Sequence, residues 1–390
     1  MTAASGAWWK RRVGGVPGGV WALAGLAVVA RLGAVLAGVG ADTFYEYGEI
    51  ADRILAGEGF AYDHGAGAVP SAYVPPGYVA WLLPWFALVE GSTRVVVVFS
   101  AQALVGGATV LLAWSVARRW AGEAAGWASA ALYACVPAFV AAAATPSAAV
   151  WVHAGALGAF ALLQPRPEAG RRAVALGAVL AVLVLFRSEM ALVAMLVVGI
   201  LAMERRWSVA ALVAFIVAAG VGPWVARNAV EIGRPTLTTG LGLNLLRGHN
   251  AEGIGSWTEV NEVRAAISPG PGYEARMDDG MRDRARANIE ADPVRSLRWG
   301  GVKVARLWIL DPVEPRGWHP LYLASVLILL GLSAVGLRST RPPLEWWVYI
   351  GTSTLTAAVV FAFLRHQVFL LGALVPLAGT GAAALYQRFR

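Results

Sequence analysis

Residues 41–81 read ADTFYEYGEIADRILAGEGFAYDHGAGAVPSAYVPPGYVAW, an acidic and aromatic stretch that follows directly on the chain's first long apolar run. How much of it crosses a membrane decides the fold. The rest of the chain fixes the solvent: 58% of residues are hydrophobic, 14% are charged and 17 are Trp. Mean hydropathy is +0.59. Soluble chains carry roughly 25% charged residues, so a water-soluble domain is excluded. Apolar runs recur at 20–39, 95–117, 124–144, 148–163, 173–186, 190–203, 209–226, 321–337, 346–364 and 368–385. Most approach the ~20 residues a helix needs to cross ~30 Å of hydrocarbon. Unsatisfied backbone groups are prohibitive in lipid and no period-two barrel pattern is present, so helices are the spanning element. The single cysteine, Cys135, lies inside a run and excludes a disulfide framework. Lys10, Arg11 and Arg12 precede a run of full span length that contains Arg31, which reads as a first span rather than a cleaved signal.

Those three cations hold the start of the first span in the cytoplasm, so it exits near Gly40. If residues 75–89 also crossed, Arg118, Arg119, Arg166, Arg171 and Arg172 would all face outward, against the positive-inside rule. An interfacial segment at 75–89 restores the rule. It puts those arginines inside, with Arg205/Arg206, Arg338/Arg341 and Arg388/Arg390, in short loops where the rule has force. The expectation is an all-α polytopic membrane protein, a single transmembrane domain over 1–390 with about ten spans. Both termini are then cytoplasmic, and residues 41–93 and 227–317 form two large outer segments.

Within the first segment, 43–57 predicts an amphipathic helix at the membrane surface, with Tyr47, Ile50, Ala51, Ile54 and Leu55 on one face and Gly57 and Gly59 ending it. Glu46 fits a capping box begun by Thr43, and Glu49 an i,i+4 pair with Arg53. Asp42, at the mouth of the first span, has two readings of equal weight, a solvated turn residue or a base. Pro75-Pro76-Gly77-Tyr78 opens the interfacial helix. Arg94 and Arg365 stand at outer span ends, and Arg187-Ser188-Glu189 lies between two short runs, where a charge needs a polar cavity or a salt bridge. Convergent arginines also suit a lipid-linked phosphate. Tyr45, Tyr47, Tyr73 and Tyr78 suit sugar stacking or interfacial anchoring.

The second segment is expected to begin, to Trp257, as an ordered but irregular Gly/Asn/Thr-rich loop, followed by a surface helix at 274–291 and an amphipathic or partly inserted helix at 296–310 carrying Lys303 and Arg306. His64 and His249 leave a divalent metal open, without the close His/Asp/Glu spacing that would argue for one. No nucleotide-binding motif or internal repeat is present. The net charge of +8 follows from arginines beside anionic lipid and does not call for nucleic acid.

At these residues the chain resembles a known family. Arg31, Asp42, Tyr47-Gly-Glu-Ile-Ala51, Gly57-Glu-Gly-Phe60, Ser71-Ala-Tyr73 and Pro75-Pro-Gly-Tyr78 look like the first periplasmic loop of bacterial GT-C glycosyltransferases. These are polyprenyl-phosphate-sugar-dependent enzymes related to protein O-mannosyltransferases (glycosyltransferase family 39) and to the lipid A aminoarabinose transferase. Arg187-Ser-Glu189, Pro223-Trp224 with Arg227-Asn228, Asn244 with Gly248-His-Asn250, and Asp292-Pro293 ahead of Lys303 continue the likeness in order over nearly the whole chain. The resemblance implies a GT-C bundle and transfer of a sugar from a polyprenyl-phosphate donor to a hydroxyl or amine of a glycan, lipid or protein acceptor at the outer face of the cytoplasmic membrane. No cofactor is required by it, and a divalent cation stays open.

The resemblance favours Asp42 as catalytic base. Asp42 stands five residues before Tyr47, a wider spacing than the family's, which keeps Glu46 open. It assigns Arg94, Arg187 and Arg365 to the donor phosphate, and Glu49, Tyr47, Tyr73, Tyr78, Asn244, His249 and Asn250 to the substrate-lining shell. The chain has fewer spans than the aminoarabinose transferase and no appended soluble domain. The rival readings are a transporter or flippase, and a non-catalytic scaffold for envelope assembly. Against a transporter, charge clusters at outer mouths, Arg31 is nearly alone in mid-span and no inverted repeat is present.

Overall fold

The computed structural model describes residues 12–40, 43–65, 67–312, 314–361 and 364–389. Among these the chain is helical apart from two short hairpins, β1–β2 (Arg12–Val13, Val16–Pro17) and β3–β4 (Ala61–Asp63, Ala68–Pro70). It is a multi-pass membrane protein. Five helices are long and apolar enough to cross a bilayer: α1 (Gly18–Leu36), α4 (Thr93–Ala121), α10 (Trp207–Glu231), α15 (Pro320–Ser339) and α17 (Leu364–Arg388). The other expected spans fall on shorter helices: α7 (Ala149–Leu163), α8 (Arg171–Phe186), α9 (Met190–Met203) and α16 (Leu344–Val359). The run at 124–144 is broken into α5 (Glu123–Cys135) and α6 (Pro137–Ala142), because Val136 is extended ahead of Pro137.

Most of these helices pack around α17, the most deeply buried of the long ones. Small residues let backbones approach there. A Cβ on Gly379 would meet Ser129 Oγ at 1.9 Å, and one on Gly381 would meet Leu332 O at 1.9 Å. The short loops gather on one side, where Arg166 pairs with Glu204 (2.7 Å) and Glu345 (3.0 Å) and so joins three turns. Both long segments lie together on the opposite, loop-bearing side.

In the first segment, α2 (Tyr45–Leu55) packs on α3 (Pro76–Leu88) over a core of Phe44, Ile50, Tyr78, Leu82 and Phe86. The Thr43 capping box does not form: Phe44 is the N-cap and no side chain caps it. The Glu49–Arg53 bond does form, at 3.0 Å. In the second segment, the stretch expected to be irregular folds in part into α11 (Leu241–Gly248), and α12 (Thr258–Ala266) follows it. They pack on α13 (Tyr273–Ala291) around Leu243, Leu246, Val260 and Met277, so α13 buries one face rather than lying free on the surface. Asp292 caps the next helix, α14 (Pro293–Trp308), by accepting from Arg295 N at 2.8 Å.

The two segments are joined through Glu274. Its buried carboxylate accepts from Ala72 N (2.6 Å) and the Thr239 hydroxyl and meets His64 Nε2 at 2.8 Å. Burial pushes this carboxyl up, but bonds from His64, Ser71, Thr239 and Ala72 outweigh it and hold it below the usual range. Arg227 adds a second tie, donating to Ser71 O and Phe60 O at 2.6 and 2.8 Å.

Candidate active site

A cavity of about 1310 Å³ opens at the loop-bearing end of the bundle. The broken span makes room for it, since α6 is only six residues long and leaves Cys135, Pro137, Ala138 and Ala141 as one wall. Arg31 secures the break. Its buried guanidinium donates to Tyr133 O (2.9 Å) and Ala134 O (3.3 Å), the terminal carbonyls of α5, and to Ala27 O (3.0 Å). The negative end of a helix dipole thus takes the place of a carboxylate for this mid-span charge.

Ala34 and Val39 of the first span, with Leu321, Leu364 and Val368, keep the rest of the deep wall apolar. The polar rim has two halves. Tyr45, Glu46 and Tyr47 come from the first turn of α2; Arg316, His319, Tyr322 and Arg365 come from the starts of α15 and α17 and the turn before them. Tyr45 holds φ at +49°, the left-handed region that bulky residues avoid. Such strain persists where the surroundings over-determine it, commonly at functional sites.

Tyr47 is the hinge of this arrangement. Its ring meets Tyr78 edge-on at 5.0 Å. The Tyr78 hydroxyl donates to Gln102 (2.7 Å), whose amide donates to Ala143 O and Thr145 O. Burial pushes the Tyr47 phenol up. Arg365 and Arg187 pull against that, while Glu46 and Glu189 add to it. Two arginines expected at the donor phosphate, Arg187 and Arg365, therefore act on one hydroxyl together with Glu46, the alternate base, and Glu189. Tyr73 is also pushed up, first by burial and then by Glu46 and Tyr62, with Arg365 and Arg247 opposing. Tyr73 stacks on Tyr62 with ring centroids 5.5 Å apart.

Other foreseen residues are placed elsewhere. Arg187 is bonded to Glu189 (Nε 2.7 Å) and lies over the Phe369 ring at 4.3 Å; it does not line the cavity but acts electrostatically on Tyr47, which does. Arg94 donates to Val89 O (2.7 Å), Phe86 O (3.2 Å) and Asp52 (2.8 Å). With Glu49 and Asp52 it lines a smaller cavity of about 540 Å³ on another face of α2. Glu49 there also accepts from Asp63 N at 3.0 Å. Asn244, His249 and Asn250 do not line the large cavity. Asn244 bonds back to Gly240 O (2.8 Å), His249 Nε2 meets Val359 O (2.8 Å), and Asn250 accepts from Glu252 N (3.0 Å). Asp42 lies outside the described residues. Among the described residues no group of three His, Cys, Asp or Glu side chains could hold a metal.

Residues 74–226 match the model of the dolichyl-phosphate-mannose-protein mannosyltransferase family. Among solved structures, the chain superposes on the Archaeoglobus fulgidus oligosaccharyltransferase in its apo form with a TM-score of 0.55 at 11% identity. The match covers 95% of this chain and 51% of that one. The AglB enzyme of the same organism, in complex with an inhibitory peptide and a dolichol-phosphate, gives 0.56 at 12% identity over 95% and 50%. The chain shares the fold of these oligosaccharyltransferases and spans about half their length. ArnT from Cupriavidus metallidurans bound to undecaprenyl phosphate gives a TM-score of 0.43 at 15% identity over 94% of this chain and 78% of that one. No curated protein matches by sequence.

Rim residues that sequence reasoning misses include Glu314, Arg316, His319 and Tyr322. The available signal was Pro315-Arg-Gly-Trp-His-Pro320, basic and aromatic residues packed into the last turn before a span.

Proposed function

We propose that this chain transfers a sugar from a polyprenyl-phosphate donor to an acceptor hydroxyl or amine, with the loop-bearing side facing outward from the cytoplasmic membrane and both termini cytoplasmic. The observation that carries the reading is the cavity itself, with a carboxylate, Glu46, and a guanidinium, Arg365, at the polar rim of an apolar chamber at the ends of the spans. A lipid-linked sugar needs that combination. Its tail stays in hydrocarbon, its phosphate leaves and needs cationic stabilisation, and the attacking group needs a carboxylate to take its proton. Arg365 neutralises the leaving phosphate, with Arg187 acting from behind Tyr47. Two carboxylates line the described cavity, Glu46 and Glu314; Glu314 stands beside Arg316 (4.0 Å), so Glu46 is the base, with Asp42, four residues earlier, as its competitor. The dolichol-phosphate bound to AglB, which shares the fold, supports a lipid-phosphate ligand. The acceptor is a glycan, lipid or protein.

Cys135 supplies a direct test, because it is the single cysteine, is exposed and lines the cavity. In detergent, undecaprenyl phosphate should slow maleimide labelling of Cys135 severalfold, and the phosphate-free polyprenol should do so less. Equal labelling with and without the phosphorylated lipid overturns the reading.

A further inference from the structure

Lys303 is the buried cation that this function leaves unused. It is fully buried in α14, and among the described residues no carboxylate pairs with it. An unpaired ammonium is costly to bury, so its place calls for a physical reason. Its Nζ lies 3.3 Å from Val359 O and 3.1 Å from Val360 O. These are carbonyls at the C-terminal end of α16, where orphan acceptors and the helix dipole both favour a cation.

Three consecutive residues at the end of α11 hold the same turn. Arg247 lies 4.9 Å from the Phe361 ring and 4.2 Å from Trp257. A Cβ on Gly248 would meet Val360 O at 1.7 Å, so only glycine allows this approach. His249 Nε2 stands 2.8 Å from Val359 O. That contact is shorter than the 3.2 Å from Nε2 to Lys303 Nζ and assigns the imidazole proton to Nε2, leaving the lysine protons for the carbonyls. Burial, with Lys303 and Arg295 nearby, lowers the His249 pKa and keeps the imidazole neutral.

The gripped turn, 359–361, ends four residues before Arg365. On its other side the start of α17 is fixed by Gln367, which donates to Ile309 O (3.2 Å) and accepts from Tyr322 (2.9 Å). We infer that Lys303, acting with Gly248 and His249 through the 359–361 turn, is a positioning residue that aims Arg365 at the donor phosphate. The inference rests on the proposed role of Arg365.

Undecaprenyl-phosphate protection of Cys135 reads the effect without requiring turnover. Lys303→Met should need about tenfold more lipid for half-protection, the scale of one lost charge-assisted hydrogen bond. Lys303→Arg, which keeps the charge, should recover part of that loss. Gly248→Ala should reproduce the loss by displacing the turn while Lys303 is intact; labelling without lipid and the size-exclusion profile report whether each variant is folded. The deciding measurement is Lys303→Met combined with Arg365→Ala. If Lys303 acts through Arg365, the double variant is no weaker than Arg365→Ala alone. Independent, multiplying losses overturn the positioning role, as does wild-type protection in both folded Lys303→Met and Gly248→Ala. Absence of protection in the wild type is a different failure, that of the donor reading itself.

Discussion

Glu46 and Arg365 stand on the two halves of the cavity's polar rim. Glu46 read first as half of a capping box, and the box is absent, which frees its carboxylate for the cavity rim. Arg365 read as a cation at a span end, and there it stays. Arg94 and Arg187 look equivalent to it in sequence, but neither lines the cavity: Arg94 bonds to Asp52 and two carbonyls, and Arg187 to Glu189. Linear spacing cannot report which arginines reach the cavity. For the base, Glu46→Gln should lower sugar transfer by about 10²–10⁴, the usual range for a general base, with Cys135 protection intact. Loss in Asp42→Asn, with Glu46→Gln fully active, would move the base by four residues. For the phosphate, Arg187→Ala should weaken donor binding by less than the ~1.5–3 kcal/mol of a direct charged hydrogen bond, since Arg187 stands behind Tyr47. Adding Glu189→Gln is the informative step. If the second change restores normal affinity, Arg187 only neutralised Glu189.

Among the elements, those with a strong apolar period were legible, and those shaped by tertiary contact were not. The amphipathic helix expected at 43–57 forms over Tyr45–Leu55, and the interfacial segment at 75–89 forms α3 over Pro76–Leu88. In contrast, α11 is hidden because Gly, Asn and Thr signal irregular chain unless a neighbour covers them, and α13 covers it here. The α5–α6 break was also hidden, since Pro137 sits in an unbroken apolar run and only Arg31, far off in sequence, compensates the freed carbonyls. The junction of the two long segments at Glu274 makes its own prediction. The folded pKa lies below the unfolded one, so the stabilisation is complete above about pH 4.3 and fades as pH falls through the folded value. The thermal midpoint of the wild type should therefore drop with acid over that range. Glu274→Gln should be less stable at neutral pH by about 1.5–3 kcal/mol and respond more weakly to acid. Parallel acid profiles in the two proteins would remove Glu274 from the junction.

At the scale of the whole molecule, composition makes the membrane legible because it rests on solvation energies summed over many residues, and the proposed sidedness rests on arginine placement. The span count was less legible. Five helices have the length and apolarity to cross a bilayer unaided, and the shorter ones at Ala149–Leu163 and Met190–Met203 are apolar enough but fall below ~20 residues. Short helices can cross a membrane only inside a bundle whose neighbours shield their ends, which is a property of packing. The sharpest test of the arrangement uses α4. Its 29 residues extend about 44 Å at 1.5 Å per residue, more than the ~30 Å hydrocarbon core, so its two ends must face opposite compartments. In contrast, the 13 residues of α3 reach only about 20 Å and contain Pro84, which fits a helix lying at the interface against α2. On a Cys135→Ser background, Ser92→Cys should react with a membrane-impermeant maleimide added to intact cells. Trp120→Cys should react only after the membrane is opened. Labelling of both from the same side would mean that α4 does not cross, and would put the arginine-based topology and the interfacial place of α3 in error together.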